Sequence, residues 1–215
     1  VGINSDAALD GIMYYTGLAK EGLAPKTALE KNSADVESMF AQGEFAVFFS
    51  TPALVRGFYT PNDKGGNADS PAAKNYAVAP IPAGTKGRFT FFGGSNLSIP
   101  KSSKHKNESW EVLKFLVNKD TQVTYGKFSG MLPSVKAAEA DMKAVNANYG
   151  PFYEAMKFGR SYPAIPGWGP LETVLVKHMG NIWDITAGVS GTYSRDAIKK
   201  VLDEAAKESN NLLKQ

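Results

Sequence analysis

The sequence predicts an α/β protein. Helical apolar periods dominate its 215 residues, and the few β-rich runs lie between them instead of in a block. Three strand candidates also make a poor sheet for this many helices. The remaining strands of such a sheet are expected outside this chain.

Residues 5–21 read as the first helix. Ser5 or Asp6 can cap it, Leu9, Ile12, Met13 and Thr16 share a face, and Gly22 can stop it. Residues 33–42 repeat the pattern. Ser33 caps, Asp35 and Glu37 suit a positive helix N-terminus, Val36, Met39 and Phe40 line one side, and Gly43 ends it. The period then changes. Residues 44–49 are short and β-rich, and Ser50-Thr51-Pro52 follows as a turn. A helix restarts near Ala53, and residues 60–75 carry turn formers that read as a surface loop.

Residues 76–79 are the second strand candidate, and Pro80-Ile81-Pro82 continues them as a stiff extended segment. Residues 88–99 are the third, interrupted at Gly93-Gly94. A helix near Asn107 places Trp110, Leu113, Leu116 and Val117 on one stripe, which puts Trp110 in a core. Another helix starts near Asp120, and Gly130-Met131-Leu132-Pro133 breaks the chain again. Helices follow near 134–146, 150–157 and 170–187, with Trp183 as a further core candidate. The last helix runs over about 194–213, with Ile198, Val201, Leu202 and Ala205 inward.

Composition narrows the classes. With 43% hydrophobic and 21% charged residues the chain is globular, not disordered or fibrous. Its net charge of +3 is too small, and too dispersed, to argue for nucleic acid or an anionic membrane. There is no cysteine, which removes disulfides, thiolate metal sites and cysteine nucleophiles. No stretch approaches the ~20 apolar residues of a membrane span. The chain opens at Val1 without Met and soon enters a helix, so it reads as a processed or excised piece.

Catalytic motifs are weak. The two histidines, His105 and His178, lie beside lysines at surface-like positions, and no Gly-x-Ser-x-Gly elbow accompanies them. No His-Glu-x-x-His, calcium loop or carboxylate cluster is present. Asp120, Asp141 and Asp203 stand at helix starts or on exposed faces. Gly93-Gly94-Ser95 meets neither the Walker nor the dinucleotide pattern. It is either a bulge in a strand or a place where backbone approaches a ligand closely. No cofactor is expected.

The aromatics give the positive signal. Residues 162–170, Tyr-Pro-Ala-Ile-Pro-Gly-Trp-Gly-Pro, hold Trp168 in a stiff loop before a helix. An aromatic ring there suits a ligand cleft, because sugars present apolar C–H faces to rings and hydroxyls to polar groups. The alternative is a tryptophan that only clamps its own loop.

The ordered phrases carry a family resemblance. Met39 to Val47 resembles the "F-x-x-G-x-x-A-M" strand entry of family 1 extracellular solute-binding proteins, with Val47 in place of Met. Gly93 to Lys104 is similar to their "G-G-x-x-x-x-I-P-K-x-S-K" signature. Ser109 to Leu116 resembles "A-W-E-F-L-K-F-L", and Gly130 to Pro133 resembles the "G-x-L-P" hinge. The resemblance covers essentially the whole chain, but such proteins run to roughly twice this size, as two domains would. Val1 falls midway through the family.

That resemblance implies a periplasmic-binding-protein-like two-lobe fold, incomplete here, with parts of both lobes. Residues 80–82 and 131–133 match hinge crossings. Residues 83–130 would then belong to the N-terminal lobe, and 1–79 with 134–215 to the C-terminal lobe. Ser50 and Thr51 match the loop that faces the cleft, where Ala53 replaces a common aromatic. Phe92, Gly93, Gly94 and Ser95 match a ligand-contacting segment, and Trp168 matches a sugar-stacking position.

The implied function is binding without chemistry. An oligosaccharide is captured outside the cytoplasm, in the periplasm or on the extracellular face of a bacterial membrane, and handed to the membrane subunits of an ABC importer. Any membrane attachment would be a lipid anchor outside this chain. Two rivals remain open at this level. A glycoside hydrolase fragment needs two facing carboxylates, and only Glu172 lies near Trp168. A solute-binding protein for a polyamine or metal chelate needs an acidic cleft.

Overall fold

The computed structural model describes residues 1–25 and 31–214. By internal contacts these residues divide into two units, Val1–Ser33 with Tyr162–Gln215 and Ala34–Ser161. The units differ in extent from the expected lobes.

The first unit is built from α1 (Asp6–Lys20), α8 (Trp168–Ala187) and α9 (Arg195–Leu212). Ser5 caps α1 by accepting from the Ala8 N–H, and Ser194 caps α9 in the same way from Ala197. Glycines in the left-handed conformation follow α1 at Gly22 and α8 at Gly188. The buried stripe of α8 is Leu171, Val174, His178, Ile182, Trp183 and Thr186. Ile182 of this stripe meets Ile198, Val201 and Leu202 of α9 and Leu9 of α1 in one core cluster.

His178 corrects the sequence expectation. It is not a surface residue but 5% exposed. Its position four residues before Ile182 places it on the inward stripe, whatever its neighbour Lys177 does. Its Nε2 lies 2.8 Å from the Glu208 carboxylate on α9, and Lys177 pairs with the same carboxylate. Trp183 is buried as expected and packs against Tyr15.

The second unit holds α2 (Ser33–Ala41), α3 (Ala53–Tyr59), α4 (Lys106–Leu116), α5 (Lys119–Ser129), α6 (Glu139–Val145) and α7 (Gly150–Met156). Its core is Val55, Met142, Tyr149 and Tyr153, and Val78 and Leu132 pack against it from connecting segments. The Tyr59 and Tyr149 hydroxyls lie 3.3 Å apart. Burial pushes the Tyr153 phenol up to about 12, with Glu139 adding to the shift.

Two aromatic contacts join α2, α3 and the following loop, Phe40 on Phe58 and Phe58 on Tyr76. Gly130 ends α5 at φ +78°, and a Cβ there would come within 2.7 Å of Ala53 Cα. Glycine is needed at this position for its backbone angle and for the approach of α3.

Strands are scarcer than expected. The sheet among the described residues is a parallel pair, β1 (Thr90–Phe91) and β2 (Gly159–Arg160). Residues 44–49 and 76–79 form no strand. A β-rich composition supplies side chains suited to a sheet, but a ladder needs a neighbour's N–H and C=O groups. The described residues bring none alongside these two segments.

Trp110 is the second correction. It is 55% exposed, and α4 has no buried residue. Val112, Phe115 and Val117 are exposed with it. Apolar periodicity identifies a face that wants cover, not the element that covers it.

The Glu208 carboxyl is held below its ordinary value, first by Lys177 and then by His178. A lowered folded-state value stabilises above the ordinary value of 4.5 and is lost as pH falls through the lowered one. Glu208→Gln should therefore lower the urea midpoint at pH 7, and the deficit should shrink below about pH 4.5. Urea titrations of both proteins at pH 7 and pH 3 check this.

Candidate functional site

The predicted site residues fall on three pieces of backbone. Ser50 and Thr51 lead into α3, where the Leu54 N–H donates to the Thr51 carbonyl at 3.3 Å. Ser50 Oγ is buried and meets no hydrogen-bond partner. A buried hydroxyl in that condition costs about 1–3 kcal/mol, which a polar ligand group would relieve. The same holds for Tyr153 Oη, His178 Nδ1, Trp183 Nε1 and Ser209 Oγ, so the feature alone does not mark a site. Thr51 is exposed.

Phe92 to Ser95 leave the end of β1. The Phe92 N–H donates to the Arg160 carbonyl at 2.9 Å, which ties the start of this segment to β2. Gly159 lets the two backbones approach: a Cβ on it would stand 2.7 Å from Phe92 Cβ. Gly159 is thus a requirement the sequence did not announce. Phe92 is 46% exposed, and Gly93, Gly94 and Ser95 are exposed.

The two glycines differ. A Cβ on Gly93 would meet the Phe91 ring at 2.7 Å, whereas one on Gly94 would meet nothing within 4 Å. The bulge reading suits Gly93. Gly94 has no such crowding, a condition it shares with Gly11, Gly17, Gly169 and Gly180, so the open space alone does not mark a site.

Trp168 belongs to the other contact unit. The sequence places it in a loop, but it is the first residue of α8, and Gly167 precedes the helix. Helical backbone begins here two residues before Pro170, which the first turn tolerates because its N–H groups lack intrahelical partners. Trp168 is half-buried, and its indole stacks on Tyr162 with centroids 5.2 Å apart and planes 10° from parallel. Tyr162 was not singled out from the sequence. Its signal was its place six residues ahead in a proline- and glycine-rich loop, which folds the chain back on itself.

Glu172 is exposed one turn along α8 from Trp168. No group of three potential metal ligands occurs among the described residues. Two cavities, of about 240 and 370 Å³, include none of the predicted site residues in their linings. The larger is an apolar space between α1, α8 and α9. No helix among the described residues is long and apolar enough to cross a membrane.

A family model described as bacterial extracellular solute-binding protein matches residues 2–123, more than half of the chain. The chain belongs to this family. Among curated relatives of this solute-binding protein are ones named as binding proteins in Brucella abortus (strain 2308) and Brucella suis biovar 1 (strain 1330). Each is 29% identical over 216 residues, covering 100% of the chain and 48% of the relative. The chain thus spans about half the length of the curated relatives it matches.

Solved structures agree on the fold. The sugar-binding protein MalE from Xanthomonas citri superposes with a TM-score of 0.74 at 24% identity, over 98% of this chain and 50% of that one. Maltose-bound T. maritima MalE3 superposes with a TM-score of 0.76 at 23% identity, over 95% and 51%. The solute-binding protein therefore has part of a periplasmic-binding-protein-like two-lobe fold, mostly helical in this part.

Gly94→Ala should leave the thermal midpoint of the protein within the range of a neutral surface change, about 0.5 kcal/mol in stability. Thermal unfolding of the variant checks the open space around Gly94.

Proposed function

We propose that this solute-binding protein captures an oligosaccharide outside the cytoplasm by closing two lobes around it. It then presents the closed form to the membrane subunits of an ABC importer. No bond is made or broken. The observation that carries this reading is the half-buried indole of Trp168, set at the start of α8. A flat apolar ring at the margin of the protein is what the C–H face of a sugar stacks on. The fold shared with a sugar-binding MalE and a maltose-bound MalE3 supports the same ligand class.

The further contacts proposed are Ser50, Thr51, Phe92, Gly93, Gly94 and Ser95. Ser50 offers a buried hydroxyl without a partner. Gly94 offers backbone that nothing crowds. The segment from Phe92 to Ser95 starts from β1, a piece of regular structure, which limits how far it moves. Between them these groups supply the hydroxyl and amide partners that a neutral sugar requires. The charge balance of +3 suits a neutral ligand better than an ionic one.

The lobes follow from the same proposal. Residues 83–130 are assigned to one lobe, and 1–79 with 134–215 to the other, with crossings at 80–82 and 131–133. The uncovered stripe of α4 supports this, since Trp110 and Val117, two turns apart on one face, are 55% and 49% exposed. Their partner surface is the remainder of the first lobe.

Two experiments test the proposal on the full-length protein. Calorimetric titration with maltotriose, cellotriose and xylotriose should show saturable binding and no products by chromatography. Trp168→Ala should weaken binding about five- to 100-fold, the effect of losing about 1–3 kcal/mol of buried apolar contact. Product formation would favour the hydrolase reading, and normal affinity in the variant would remove Trp168 from the site. For the lobes, Trp110→Ala should cost about 3–5 kcal/mol, as for a buried aromatic. A cost within about 0.5 kcal/mol would mean that the face stays in solvent.

A further inference from the structure

We infer that Tyr162 is a positioning residue for the carbohydrate site: its ring holds the Trp168 indole in one orientation and leaves that indole a single face for ligand. The inference rests on the carbohydrate reading above, and it concerns two residues of one contact unit.

Tyr162 lies six positions before Trp168. Fully extended, that length of chain spans about 20 Å. The ring centroids are 5.2 Å apart, so the loop doubles back. Its backbone is closed by short-range bonds. The Ile165 N–H donates to the Pro163 carbonyl at 3.0 Å, and the Trp168 N–H to the Ile165 carbonyl at 3.1 Å. The Leu171 N–H donates to Gly167 at 3.1 Å as α8 begins. Pro163, Pro166 and Pro170 fix φ at three of these positions.

These restraints act on the backbone and leave the indole's own side-chain torsions open. At the first residue of a helix, no preceding helical turn crowds the ring into place. The Tyr162 ring supplies what the backbone does not. Planes only 10° from parallel at this distance make an offset stack, the arrangement aromatic pairs favour. An indole held in one rotamer loses less freedom when ligand arrives, so binding is tighter for the same contact.

The stack has a second consequence. An indole has two π faces, and Tyr162 occupies one. A sugar ring can stack only on the other, which fixes the side from which Trp168 is approached. The stack is made by the Tyr162 ring, and phenylalanine keeps that ring.

The test compares full-length wild type with Tyr162→Ala, Tyr162→Phe, Trp168→Ala and the Tyr162→Ala/Trp168→Ala double variant. Each is titrated calorimetrically with maltotriose, cellotriose and xylotriose. Tyr162→Ala should weaken binding about three- to tenfold, matching a lost aromatic pair. Tyr162→Phe should stay within about twofold, and the double variant should bind no more weakly than Trp168→Ala alone. Near-ultraviolet circular dichroism should lose part of its tryptophan signal in Tyr162→Ala but not in Tyr162→Phe. If Tyr162→Ala does not fold, Tyr162→Leu keeps the apolar bulk without the flat ring. Unchanged affinity in Tyr162→Ala or Tyr162→Leu overturns the inference. So does a full additional loss in the Trp168→Ala background, since Tyr162 would then act on its own. Absence of saturable binding of all three sugars by the wild type overturns the carbohydrate reading, and this inference with it.

Discussion

The burial of one stripe of α8 fixes the rotation of that helix, and with it the direction in which Trp168 leaves its first turn. Ile182 is fully buried against α9 and α1, and Leu171, Val174 and His178 continue the stripe toward the N-terminal end. A helix is stiff over this length, so packing near Ile182 sets the azimuth of a residue some four turns away. The His178–Glu208 contact adds a polar tie at the middle of the α8–α9 seam. The proposed ring is thereby carried on a rigid element, and the loop before it brings the Tyr162 ring against the indole.

The second unit works differently. Its core of Val55, Met142, Tyr149 and Tyr153 is small and partly phenolic. The connecting segments around Val78 and Leu132 pack onto it, which anchors the chain on either side of residues 83–130. Within that stretch, β1 rests on β2, but Phe89, Phe91 and Phe92 are each 46% or more exposed. Trp110, Val112 and Phe115 of α4 are exposed as well.

Much of the helical framework was legible because capping and periodicity are local. Ser5, Ser194, Gly22, Gly43 and Gly130 stand where the helices start or stop. Ile198, Val201, Leu202 and Ala205 are buried as their spacing requires. The strands were not legible in the same sense. Residues 44–49 have strand composition and no ladder, since pairing is decided by what lies alongside. His178 was misjudged from its neighbour Lys177, although its spacing from Leu171, Val174 and Ile182 carried the correct reading. Trp110 was misjudged for the opposite reason: its spacing is helical, but α4 has no buried residue and Trp110 stays exposed. Of the candidate site, Trp168 and Gly94 stood out in the sequence. The Tyr162 stack and the Gly159–Phe92 approach did not, because each joins residues that only folding brings together.

The sequence by itself determined where helices begin and end, which faces are apolar, and which family's ordered phrases run along the chain. Each of those is written in side chains a few residues apart. The tertiary structure alone decided that His178 lies inward against Glu208, that Trp168 shares its indole with Tyr162, and that α4 keeps its apolar face uncovered. Those depend on contacts between distant positions, and such contacts exist only once the helices have packed.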